Sequence, residues 1–132
     1  MAVKRYKKQK GKADELFSRV IRSQGFCEAE GYDDHRCSSQ LQTAHIVTRK
    51  RSATRTDTRN AFCLCFAHHR FYTDYPRQFS RFITTTWAQD YYETVYQKSI
   101  VPTKVNWEER VEFLKRIINE ELTLEEARKM ED

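Results

Sequence analysis

The chain has 132 residues, enough for one domain and too few for two cores of ordinary size. Charged residues make up 33% and hydrophobic ones 39%, with 17 aromatics among them, which excludes a large aliphatic core and leaves rings to fill much of a small one. No apolar run approaches the roughly 20 residues that cross a bilayer, and the opening MAVKRYKKQK lacks the apolar stretch of a secretion signal, so a soluble, intracellular chain with no membrane partner is expected.

The net charge of +5 is unevenly placed. Residues 1–105 carry 19 Lys/Arg against 10 Asp/Glu, and residues 106–132 carry 5 against 9, so any polyanion binding belongs to the first four fifths. Lys4, Arg5, Lys7, Lys8, Lys10 and Lys12 form a first basic cluster, read here as a flexible leader over residues 1–12 that a solvated, frayed terminus would also explain. Residues 13–132 are expected to form a single domain.

Leu16, Phe17, Val20 and Ile21 recur at helical spacing, with acidic residues before them and Gly25 after, which predicts a packing helix from Ala13. Residues 26–39 show no useful periodicity and read as a loop that something must pin. LQTAHIV (41–47) alternates, so that Leu41, Thr43, His45 and Val47 share one face of a strand. TRKRSATRTDTR (48–59) is polar and basic, with no apolar residue larger than alanine, and reads as an exposed loop. NAFCLCF suggests a second short strand, and AHHRFYTD a helix that stops before Pro76. Phe79, Phe82 and Ile83 suggest another helix, and WAQDYYETVYQ one more. Asn106 with Glu109, and Thr123 with Glu126, resemble capping pairs opening the last two helices. The C-terminal helices are expected to serve packing or a partner contact, with a second copy or a phage protein.

Cys27, Cys37, Cys63 and Cys65 in a reducing compartment read first as metal ligands rather than disulfides. Tetrahedral zinc takes four N or S donors, commonly as two close pairs. Cys65 and His68 give a C-x2-H pair at good spacing, while Cys27 and Cys37, nine residues apart in between, exceed the usual knuckle. The favoured structural Zn2+ set is Cys27, Cys37, Cys65 and His68. Cys63 is the rival ligand, otherwise a buried thiol. With His68 on zinc, the adjacent His69 points about 100° away and is free for another task.

The span LQTAHIVTRKRSATRTDTRNAFCLCFAHHRFYTDYP resembles the HNH endonuclease family, in particular its small phage and prophage members with zinc-binding pairs. The resemblance covers about residues 26–76 and rests on His45 at a strand end, Asn60 after a loop, and Leu64-Cys65-Phe66-Ala67-His68-His69, with His68 where the family has its second cysteine. It implies an α+β fold with a ββα-metal (HNH) core and zinc-binding loops, flanked by an N-terminal helix and a helical C-terminal extension over 77–132. It also implies hydrolysis of DNA phosphodiesters with a divalent ion such as Mg2+ or Mn2+, in the cytoplasm of a bacterial or phage-infected host cell. His45 matches the general base, His69 a ligand of the catalytic ion, and Asn60 a residue that braces the loop or helps hold that ion.

Independent of the family, a phosphodiester gains negative charge in the transition state, which a divalent ion stabilises, and an imidazole with pKa near ~6.5 is a suitable base at neutral pH. Arg49, Lys50, Arg51, Arg55 and Arg59 then suit the neighbouring phosphates of DNA. Many family members carry Asp or His immediately before the base histidine, whereas Ala44 stands there in this chain; either Asn60, Asp57 or Asp74 supplies an oxygen instead, or the ion rests on His69, water and DNA phosphates. A zinc-stabilised DNA-binding module without catalysis is the alternative, and a thiol redox or metal-storage protein a third.

Overall fold

The first helix, α1, spans Ala2–Arg22 in the computed structural model, which describes residues 2–87 and 89–132 and leaves Met1 and Ala88 outside the described residues. It begins eleven residues before the expected start at Ala13, so the basic stretch set apart above as a flexible leader is its first three turns. Lys, Arg, Gln and Ala are all good helix formers. The stretch is also held from the side, because Arg5 pairs with Glu108 and the Lys10 ammonium lies 5.9 and 5.7 Å from the ring centres of Tyr6 and Trp107. After the helix, Gly25 takes φ +80°, a left-handed turn that glycine makes without strain.

One face of α1 buries Ala13, Leu16, Phe17, Val20 and Ile21 against Trp107, Val111 and Leu114 of α5 (Trp107–Ile118). Both predicted caps form. Asn106 Oδ1 accepts from the Glu109 N–H at 3.1 Å, and Thr123 and Glu126 make a complete reciprocal box at the start of α6 (Leu124–Met130).

Strands β1 (Leu41–His45) and β2 (Ala61–Cys65) pair antiparallel, with Thr43 opposite Cys63 and His45 opposite Ala61. A two-stranded ribbon is marginal alone, and here both faces are covered. Thr43 turns to α1, donating from Oγ1 to the Ser18 carbonyl, while Ala44, Phe62 and Leu64 join a second cluster with Tyr72, Phe82 and Ile83. Those last three come from α2 (Phe66–Asp74) and α3 (Pro76–Thr86), with Pro76 opening the latter. Trp87, expected to open the aromatic helix, instead ends α3 and packs at 4.5 Å on Phe62; α4 runs Gln89–Ser99. The described residues thus form an α+β fold of six α-helices around one small sheet, and no helix among them is long and apolar enough to cross a membrane.

The loop from 48 to 59 departs from expectation in its second half. Thr54, Thr56, Asp57, Thr58 and Arg59 are buried rather than exposed, because the C-terminal elements supply a partner for nearly every polar group. Glu131 accepts from the Thr58 N–H at 2.7 Å and pairs with Arg110, which donates to the Thr56 carbonyl; Arg128 donates to the Thr58 carbonyl. Asp57 is paired with Arg59 and Lys98, each at 2.7 Å.

Candidate metal centre and histidine cleft

The loop after α1 lies along β2, where Glu28 N–H donates to the Cys63 carbonyl and Glu28 Oε2 accepts from the Cys63 N–H. That fixes Cys27 beside the end of the sheet. Gly31, at φ +78°, helps the loop turn back so that Cys37 returns to the same place. Cys65 stands at the N-cap of α2, its Sγ accepting from the His68 N–H at 3.3 Å.

Cys27, Cys37, Cys65 and His68 converge, with their ligand atoms all within 4.8 Å of one another. His68 Nδ1 is 3.2, 3.4 and 3.7 Å from the sulfurs of Cys65, Cys37 and Cys27. Tetrahedral bonds of ordinary zinc–sulfur and zinc–nitrogen length place neighbouring donors about 3.6 Å apart, so the four atoms can hold an ion such as zinc. Cys63 is not among them; it is fully buried in the α1–α5 cluster.

Asp33 completes the centre, and sequence reading missed it. His68 Nε2 donates to Asp33 Oδ1 at 2.9 Å, which leaves Nδ1 with its lone pair toward the sulfurs, and Asp33 also accepts from Tyr72 Oη and the His35 N–H. Burial pushes the Cys65 thiol up, but the N–H groups of His68 and Ser38 outweigh it and bring it down to about 6. Desolvation and the Cys27 and Cys65 sulfurs push Cys37 to about 12. Three thiols this close cannot all ionise on their own, and a divalent cation removes that conflict.

On the other side of β1 a cleft of about 600 Å³ opens between α1 and the sheet, and both His45 and His69 line it, with Asp14, Glu15 and Arg49. His45 Nε2 donates to the Arg55 carbonyl at 3.2 Å, since a carbonyl only accepts, and Nδ1 keeps the lone pair. His69 Nδ1 is 2.7 Å from Gln42 Oε1, which leaves Nε2 as its acceptor. Burial lowers the pKa of both rings below the ordinary value, for His45 with help from the charges of Arg49 and Arg55 against the Arg55 carbonyl and Asp14. At pH 7 both settings favour the neutral ring. Gln42, which orients His69, lies within the LQTAHIV run, whose alternation does not single it out.

Asn60 braces the loop. Fully buried, it accepts from the Val47 N–H at 2.8 Å and donates to the carbonyls of Val47 and Thr54 at 3.1 and 2.9 Å. Asn60→Ala is expected to lower the unfolding free energy by roughly 2–3 kcal/mol with bound metal per chain unchanged; wild-type stability in a denaturant titration would remove this role. Asp57 is held by Arg59 and Lys98.

The five loop cations divide. Arg49, Lys50 and Arg51 are exposed, and Arg49 lines the cleft, where it also reaches Asp14 at 3.4 Å. Arg55 instead makes a two-pronged pair with Asp14 at 2.8 and 2.7 Å, and Arg59 is buried on Asp57 and the Asp132 carbonyl, so neither is presented to a phosphate. Charge spacing along a loop does not reveal which carboxylates from α1 or the C-terminal end will fold onto it. No protein-family model, curated protein or solved structure matches the chain.

Proposed function

We propose that the chain is a metal-dependent nuclease, and more particularly an HNH endonuclease that hydrolyses phosphodiester bonds in DNA. The observation that carries this reading is the pair of neutral imidazoles in one cleft, each with one nitrogen fixed and the other free. The order β1, β2, α2, with the metal cluster at the β2–α2 junction, supports a ββα-metal core.

His45 Nδ1 takes a proton from water as the water oxygen bonds to phosphorus and the bond to the leaving oxygen breaks. The Arg55 carbonyl holds the ring in the tautomer that makes Nδ1 basic, and stabilises the imidazolium that follows. His69 Nε2, with Gln42 behind it, would hold a divalent ion such as Mg2+ or Mn2+, whose chemistry is to offset charge on the phosphoryl and leaving oxygens. Arg49, Lys50 and Arg51 grip neighbouring phosphates without reading bases.

Cleavage of supercoiled plasmid with Mg2+ or Mn2+ tests the reading. Its rate should rise with pH as His45 loses its proton, with a midpoint below 6.5 and a plateau by neutrality, because the folded setting favours the neutral ring. A rate still climbing through pH 8 would place the base elsewhere. The second reading, a zinc-stabilised DNA-binding module without catalysis, is favoured by Ala44, buried where many such enzymes carry a metal ligand; it predicts binding with no cleavage under any divalent ion.

A further inference from the structure

We propose that the first three turns of α1 are an arm that tracks the nucleic-acid backbone away from the cleft, through Lys4, Lys7 and Lys8. This rests on the reading of the cleft as a DNA site and extends it to a surface beyond the HNH-like span.

At 100° per residue, Lys4, Lys7, Lys8 and Gly11 fall in the same sector of α1 as Asp14, Glu15 and Ser18, which line the cleft; Ala13, Leu16, Phe17, Val20 and Ile21 take up the remaining, buried sector, with Phe17 reaching the cleft from its edge. The lysines therefore continue the cleft's own wall. All three are exposed, and none pairs with a carboxylate among the described residues, in contrast to Arg5 on Glu108 and Lys10 over two rings. Fold alone gives no reason for them. The first turn of α1 holds no acidic residue, and cations there oppose the helix dipole.

Gly11 gives a second, independent indication. Glycine is unfavourable inside a helix, its φ here is ordinary, and a Cβ built on it meets nothing within 4 Å. No packing or turn requires it. It sits between the lysines and the cleft on the same face, where a missing side chain lets a bulky backbone approach.

The ten steps from Lys4 to Asp14 span about 15 Å of helix, which is four to five phosphate steps of about 3.4 Å on one strand. An anionic membrane fits less well, since the apolar face of α1 is packed against α5 and has nothing to insert.

The test uses the zinc-loaded full chain without Mg2+ or Mn2+, so that a labelled 30-bp duplex is bound and not cut. Anisotropy titrations from 50 to 200 mM KCl compare wild type, Lys4→Gln/Lys7→Gln/Lys8→Gln, and Lys115→Gln/Arg116→Gln/Lys129→Gln as an equal charge loss elsewhere. For the first triple, the slope of log K against log salt should fall by about 2–3, so its disadvantage shrinks about 40-fold across that range, while the second changes it by less than one. Gly11→Glu, which favours the helix, should weaken binding as well. The single-turnover cleavage rate at saturating enzyme should stay at the wild-type value for the first triple, which separates the arm from the chemistry. Equal slopes for both triples overturn the arm and leave the nuclease reading standing. Loss of binding to phosphatidylserine vesicles with the DNA slope unchanged overturns it in favour of a membrane.

Discussion

His45→Ala is expected to slow divalent-metal-dependent cleavage of duplex DNA by about 10²–10⁴-fold, the usual contribution of a positioned general base. Affinity for the same duplex without Mg2+ or Mn2+ should stay within about two-fold. The separation follows from the geometry. The ring lies at the end of β1 in the cleft, fixed by one hydrogen bond to the Arg55 carbonyl, and carries no charge at neutral pH with which to hold a phosphate. Truncation leaves that carbonyl beside a cleft open to water, so little stability should be lost; the packing of His45 on Phe17 at 5.2 Å is the main contact removed. Single-turnover gels with matched binding curves measure both quantities. Full cleavage by the variant would end the proposed role of His45, and loss of binding together with cleavage would make it a structural histidine.

The second large effect concerns the metal centre. Wild-type chain should carry about one zinc, Cys65→Ser almost none, and Cys63→Ser the wild-type amount, measured by atomic emission after gel filtration. The apparent binding free energy of structural zinc, about 10–16 kcal/mol, is as large as the whole stability of an ordinary domain, so strong chelation should unfold the β2–α2 junction rather than merely empty it. Far-UV circular dichroism and thermal unfolding with and without chelator read this directly. Full zinc content in Cys65→Ser would refute the assignment. Affinity should also weaken on acidification, since ligand sulfurs must be free of protons.

How much could be read in advance depended on whether a feature was local. The cap at Asn106 and the box at Thr123–Glu126 are set within four residues, and both formed. The alternation of LQTAH put Thr43 and Ala44 on opposite faces, and in the fold Thr43 meets α1 while Ala44 joins the cluster with α2 and α3. The ligand set was legible from Cys65 and His68 by elimination of Cys63, although the nine-residue gap between Cys27 and Cys37 gave no hint of how the loop along β2 closes. What escaped was long-range pairing of charge. Asp14 on Arg55, Glu131 on Arg110, and Lys98 on Asp57 join positions 41, 21 and 41 residues apart, and side-chain spacing carries no record of such partners. Asp33, half-buried in a stretch with no periodicity and 35 residues from His68, escaped for the same reason.

The sulfur of Cys65 caps the first turn of α2 and also faces the centre of the metal cluster, and His69 belongs to that same turn. One turn of helix thus joins the sulfur cluster to the imidazole in the cleft. On the proposed reading they form a thermodynamic square: whatever ion sits among the sulfurs sets the tilt at which the neighbouring imidazole meets its own cation, and a cation engaged at that imidazole must, by reciprocity, change how firmly the sulfurs keep theirs.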